Sequence, residues 1–121
     1  MIENDEPKLI EYNIRFGDPE CQVLMMRLES DFLEIIESTF NQTLNKIKIN
    51  WSKDPCITIV AASKGYPGNF EKLKEIRNIK VYKDINKQLF HASTIKDKKG
   101  KIFSNGGRVL SATVLDASIK E

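Results

Sequence analysis

Histidine occurs once, at His91, and arginine only four times in 121 residues. Cysteine is confined to Cys21 and Cys56, two isolated thiols rather than a spaced framework. That excludes a disulfide-stapled secreted scaffold and points to a reducing compartment. No cysteine or second histidine stands at metal-ligand spacing from His91, so it reads as a hydrogen-bonded structural residue rather than a zinc ligand or general base. No apolar run approaches the roughly 20 residues of a membrane helix. The opening residues, Met1 to Glu6, are acidic where a signal peptide would be basic and then apolar. Repeats and low-complexity segments are absent too. A soluble, cytoplasmic protein without a membrane partner is expected.

What is present is an ordinary globular composition, with hydrophobic residues at 40% and charged residues at 30%. This is neither disordered nor collagen-like, and one domain, or one and a piece, fits the length. The formal charge of +2 hides an uneven distribution. Residues 1–37 hold ten acids and three bases, and residues 38–121 seven acids and sixteen bases. A basic half invites a polyanion reading. Most of these bases are scattered lysines, which more often coat a solvated face than line a nucleic-acid groove, so no nucleic-acid partner is expected.

Lys8 to Phe16 is the most informative stretch. Ile10, Tyr12, Ile14 and Phe16 alternate with Glu11, Asn13 and Arg15, the period of a strand. Gly17-Asp18-Pro19-Glu20 then stops it and opens a helix, with Asp18 as cap and Pro19 at the first helical position. Two helices are predicted, about 19–28 and 31–43. Asp31 and Glu34 form a capping-box pattern at the second, and Phe32, Ile35, Ile36 and Phe40 its buried stripe. Beyond lies strand-rich sequence. Ile47, Ile49 and Trp51 alternate, and Cys56–Ala62 is apolar on both faces, which predicts a central strand. Residues 63–69 read as an ordered loop and 73–82 as short strands. Leu89–Ile95 and Lys101–Ser104 flank a hairpin tip at 97–100. Arg108–Val114 is a last long strand, and residues 116–121 look like the first turn of a helix. Cys21, Cys56, Trp51 and Phe90 are core candidates.

Glu11, Asn13 and Arg15 are the chemistry-bearing set. Same-face neighbours on a strand lie about 6.8 Å apart, so the carboxylate and carboxamide can both reach one small cation. Their hard oxygens suit Mg²⁺ bridging to phosphates. Arg15 is placed to grip a phosphate oxygen through its planar fork. An amphipathic edge strand with a polar outer face explains the same pattern without any chemistry.

The neighbouring residues shift that balance. Ile10-Glu11-Tyr12-Asn13-Ile14-Arg15-Phe16-Gly17-Asp18-Pro19-Glu20-Cys21-Gln22 resembles, nearly residue for residue, the signature of the phosphoribosylamine–glycine ligases of the ATP-grasp superfamily. Ala62–Gly68 resembles their glycine loop, Phe90-His91-Ala92 their histidine strand, and Ser104–Leu110 their closing motif. These four ordered motifs carry a resemblance over residues 7–119.

The resemblance implies an ATP-dependent carbon–nitrogen ligase of purine biosynthesis. It would join glycine to 5-phosphoribosylamine, giving glycinamide ribonucleotide, ADP and phosphate. It implies Glu11 and Asn13 as Mg²⁺ or Mn²⁺ ligands under the ATP phosphates, and Arg15 as the catalytic residue facing the transferring phosphoryl group. Lys64, Gly65, Gly68, Asn105, Gly106, Gly107 and Arg108 become candidate substrate contacts. Met26 departs from a usual Pro in these ligases, Leu73 from a common Gly, and Ser93 from the Gly of a His-Ala-Gly run.

The expected fold is α+β. Residues 1–43 would end an ATP-grasp lobe, and residues 44–121 would form a truncated, antiparallel, strand-rich hybrid-barrel domain. The ligase family is several times longer, so the chain is expected to be a C-terminal piece without a nucleotide pocket, inactive alone. ATP would be held mainly by the part that precedes it. The exposed edge of Lys8–Phe16 is expected to be sticky, and two copies could pair there. Two other classes remain. A biotin- or lipoyl-type carrier would need a modified lysine, with Lys98 and Lys99 the candidates. A basic nucleic-acid binder would show steeply salt-dependent retention on phosphate.

Overall fold

The computed structural model describes residues 1–79 and 83–119. Strands β1 (Ile2–Glu3) and β2 (Glu6–Pro7) form a tight hairpin. Its turn residues Asn4 and Asp5 have φ of 52° and 61°, which these two side chains tolerate better than most. Helices α1 (Glu20–Arg27) and α2 (Phe32–Phe40) follow, then a 3₁₀ turn at Leu44–Lys46. The strands β3 (Cys56–Ala62), β4 (Glu75–Ile76), β5 (Lys87–His91), β6 (Thr94–Lys96), β7 (Ile102–Ser104) and β8 (Arg108–Leu115) complete the order. Two antiparallel sheets result, β3-β8-β5 and β4-β7-β6. The architecture is α+β, with α1 lying against β3 and β8.

The core is thin and rich in hydroxyls. Val109, Ser111 and Thr113 alternate along the buried face of β8, and Leu110 is also buried. Thr113 sits opposite Thr58 in the ladder, and their hydroxyls are 2.8 Å apart. Thr113→Val would keep the shape and leave the Thr58 hydroxyl without its partner. It is expected to cost about 1–2 kcal/mol, read as a lower urea midpoint with an unchanged slope.

Several sequence expectations need correction. Lys8–Phe16 has no ladder partner among the described residues, and Ile10, Tyr12 and Ile14 are 72%, 85% and 103% exposed. Its alternation groups side chains but buries none, because no other described strand takes up its backbone groups. Among the described residues Cys56–Ala62 is an edge strand and β8 the central one, with Ile57 and Ile59 exposed. Among the described residues, 47–51 contribute one isolated bridge, Leu28 to Trp51. Trp51 is exposed, and Phe90, Cys21 and Cys56 are half-buried. Of the α2 stripe, Ile35 and Ile36 are half-buried whereas Phe32 and Phe40 are exposed.

The helix α2 ends at Phe40, three residues early, and Gln42 turns the chain at φ 56°. Asp31 caps α2 as expected, accepting from the N–H groups of Leu33 and Glu34. Asp18 does not cap α1, and Pro19 occupies the N-cap itself. The predicted strand 89–95 is split between the two sheets. Ala92 and Ser93 both donate their N–H to the Val109 carbonyl, which turns the corner. The hairpin tip forms as expected, with Asp97 Oδ1 accepting from the N–H of Lys99 and of Lys101. Within 73–82 only Glu75–Ile76 is a described strand, and residues 80–82 lie outside the described residues. No helix is described over residues 116–119, and the expected turn runs on into 120 and 121, which lie outside the described residues.

Two departures from the ligase pattern find a physical reading here. Leu73 has φ 57°, a left-handed conformation that glycine adopts without a Cβ penalty. Its side chain is 63% exposed, so it packs against little. Leu73→Gly relieves about 1–2 kcal/mol of strain and costs about 0.5–1 kcal/mol of chain entropy. A net gain of about 0.5 kcal/mol, seen as a Tm rise of about 2 °C, is expected. Ser93 is accommodated because Gly106 lacks a Cβ, which would otherwise run into the serine side chain.

Candidate functional site

Alternating positions in an extended segment place Glu11, Asn13 and Arg15 along one side of a polar cleft of about 440 Å³. The Asn13 carboxamide donates to Glu11 Oε1 at 2.9 Å, which holds the acid and the amide together. Arg15 donates through Nη1 to its neighbour's carbonyl, Phe16 O, at 2.8 Å. Asp18, Glu20 and Arg108 complete the polar lining. A Cβ at Gly17 would meet the Glu20 carboxylate, which would have to swing aside.

Arg108 opens β8 and reaches the cleft from the other end of the chain. It donates through Nη1 to Asp18 O at 2.6 Å, and the same nitrogen lies 3.3 Å from the Asp18 carboxylate. Its Nε donates to the Tyr66 hydroxyl at 3.1 Å, and its guanidinium lies 5.9 Å from the centre of the Tyr66 ring. The Tyr66 hydroxyl, and then Asp18, hold this guanidinium more firmly protonated than an ordinary arginine.

The glycine loop is pinned to the 105–108 segment. Ser63 donates its N–H to Gly107 O and its hydroxyl to Gly106 O, both at 2.7 Å. Gly65 has φ 97°, and a Cβ there would meet the Asn69 carbonyl, so only glycine fits the turn. A Cβ at Gly107 would enter the Tyr66 ring. Asn105 donates its N–H to Ser93 O at 2.9 Å.

The structure therefore brings Arg108 to the Glu11, Asn13 and Arg15 cleft. Gly106 and Gly107 stand behind it as backbone support. Lys64 does not join them. It is highly exposed and lies 4.0 Å from Glu71, at a separate cavity of about 250 Å³. Gly65 and Gly68 shape the loop and do not line the cleft. His91 Nδ1 lies 2.8 Å from the Thr94 hydroxyl, the structural hydrogen bond expected. Burial pushes the Cys56 thiol up, with Arg27 opposing more weakly, so Cys56 is a poor nucleophile.

Sequence reasoning missed Tyr66 and the role of Asp18. Asp18 carries a strong cap signal, and Tyr66 sits in a loop whose clearest local signal is its glycines. Their proximity to Arg108 comes from chain separations of 42 and 90 residues, which no local pattern reports.

No group of three or more His, Cys, Asp or Glu among the described residues is arranged to hold a metal. Glu11 and Asn13 supply two hard oxygen donors, which fit part of a Mg²⁺ or Mn²⁺ shell. No helix among the described residues is long and apolar enough to cross a membrane.

Two antiparallel sheets with a polar cleft between two arginines and an acid–amide pair define an α+β protein of a recognisable class. The chain belongs to the family described as phosphoribosylglycinamide synthetase, C domain, whose model matches residues 56–121. It is similar over its whole length to phosphoribosylamine–glycine ligases, 49% identical to that of Agrobacterium fabrum and 46% to that of Brucella melitensis. It covers 28% of each of those two relatives. The chloroplastic ligase of Arabidopsis thaliana is 44% identical, with 24% of it covered. Among solved structures, the phosphoribosylamine–glycine ligase of Thermotoga maritima superposes with a TM-score of 0.68 at 28% identity, covering all of this chain and 29% of that one.

Proposed function

We propose that this chain serves as the C-terminal part of an ATP-dependent ligase that joins glycine to 5-phosphoribosylamine in purine synthesis. The observation that carries the reading is the convergence of Glu11, Asn13, Arg15 and Arg108 on one cleft, in a chain whose relatives bear that ligase's name.

In this reading the γ-phosphoryl group of ATP passes to a glycine carboxylate oxygen, giving glycyl phosphate and ADP. The amine of the sugar phosphate then attacks the carbonyl carbon, and phosphate leaves as the carbon–nitrogen bond forms. Catalysis of such transfers is largely positioning and charge neutralisation. A bound Mg²⁺ or Mn²⁺ neutralises phosphate charge, and Glu11 and Asn13 are the residues that would hold it. Arg15 faces the same space and stabilises the charge of the transferring group through its fixed donor fork. Arg108 is a substrate-oxyanion contact. Lys64, Gly65, Gly68, Asn105, Gly106 and Gly107 act by supporting the loops around it.

Residues 1–43 are read as the end of an ATP-grasp lobe, and the two sheets of 44–121 as parts of a hybrid barrel. Other parts of the ligase bind most of the ATP. Pairing of Lys8–Phe16 between two copies belongs to the same reading, because that stretch has no ladder partner among the described residues. The cytoplasm supplies the reducing conditions that the two free thiols suit.

A chimera tests the proposal. The matching segment of the Agrobacterium fabrum ligase is replaced by this chain, and product is followed by mass spectrometry. Glycinamide ribonucleotide is expected from glycine, 5-phosphoribosylamine and ATP, and none from the 121-residue chain alone. A folded chimera that binds ATP yet forms no product would contradict the reading.

A further inference from the structure

We propose that Tyr66 is a positioning residue for Arg108, and that the Asp18 carboxylate holds the place of a phosphate-type oxyanion that Arg108 receives when the cleft is occupied. This rests on the reading of the cleft as a substrate site.

The guanidinium is held from three sides. Tyr66 takes the Nε–H with its hydroxyl and lies near the cationic plane with its ring. The ring is itself backed by Gly107, where no Cβ intervenes. Ser63 ties Gly106 and Gly107 to the loop that carries Tyr66, so the loop of the tyrosine is anchored to the segment that leads into the arginine.

The two contacts from Asp18 differ in kind. The main-chain carbonyl is close, at 2.6 Å, and the carboxylate is looser, at 3.3 Å, with its side chain 56% exposed. An exposed ion pair of this sort is easily exchanged, because water and salt screen it. The carbonyl contact keeps the guanidinium docked when the carboxylate leaves. Three carboxylates (Glu11, Asp18 and Glu20) and two guanidiniums line the cleft, so its walls carry a net negative charge. An oxyanion that reaches Arg108 meets the Asp18 carboxylate already seated there. A phosphate group presents oxygens in the geometry the guanidinium fork receives.

The test uses the ¹⁵N-labelled 121-residue chain titrated with inorganic phosphate, following the Arg108 Nε–Hε resonance. In the parent chain this resonance is expected to shift in a saturable way. Asp18→Asn is expected to tighten the apparent Kd about three- to tenfold by removing the competing charge. Tyr66→Phe, which keeps the ring, is expected to weaken it about three- to tenfold with an unchanged amide spectrum elsewhere. The proposal is overturned if the Arg108 resonance stays still in both the parent and the Asp18→Asn chain. It is also overturned if Asp18→Asn weakens binding or Tyr66→Phe leaves it unchanged. Phosphate titration needs no turnover, so it separates this inference from the ligase reading. A chimera without product formation would leave the exchange standing, and an active chimera whose Arg108 ignores phosphate would remove it.

Discussion

Arg15→Ala is expected to lower kcat of the chimeric ligase about 10³-fold, with KM for ATP changed little. Arginines that neutralise a transferring phosphoryl group are worth about 10³- to 10⁵-fold in rate, because their charge matters most when phosphate charge is redistributed. The lower end is appropriate here, since Arg15 shares the cleft with Arg108 and a bound cation would carry part of the load. Its side chain donates to the adjacent carbonyl of Phe16, an exposed contact whose loss does little to the fold. An unchanged Tm should accompany the rate loss. Arg15→Lys keeps the charge and loses the fork, and should recover only part of the rate. A fall of less than tenfold for Arg15→Ala would place the chemistry elsewhere.

Glu11→Gln is the second large effect. The substitution keeps size and hydrogen bonding but removes the single full negative charge that the acid–amide pair contributes. Changes in the residues around metal ligands already cost about 10- to 100-fold, so loss of a ligand charge should cost at least about 100-fold in kcat/KM for the metal–ATP complex. The signature that separates a ligand from a generally useful acid is the metal dependence. The Mg²⁺ concentration for half-maximal rate should rise markedly in Glu11→Gln and stay constant in a control such as Glu29→Gln, whose side chain lies at a different cavity. Equal Mg²⁺ dependence in both variants would contradict the assignment.

Local chemistry was readable from sequence, and neighbours were not. Asp31 as a cap, the tip at 97–100 and the strands 56–62 and 108–114 follow from short-range rules, and the structure has them all, the last one residue longer. The period of two through Glu11, Asn13 and Arg15 correctly grouped three side chains at one cleft. The same period wrongly implied a paired strand, because alternation reports side-chain direction and says nothing about who takes the backbone hydrogen bonds. Cys56–Ala62 was mistaken for a central strand by the same gap. An apolar run on both faces describes what a strand could bury, whereas its place in the sheet depends on β8, some fifty residues later. The split at Ala92–Ser93 and the grip of Tyr66 and Asp18 on Arg108 likewise arise from long-range partners.

In the proposed site the acid, the amide and the first arginine face one nucleotide-bound cation together. Anomalous scattering from Mn²⁺ in crystals of the chimera grown with ATP tests it most directly. One peak is expected within about 2.2 Å of a Glu11 carboxylate oxygen and of the Asn13 carboxamide oxygen, with Arg15 directed at the γ-phosphate. A peak held by other side chains, with Glu11 and Asn13 turned to solvent, would contradict the account.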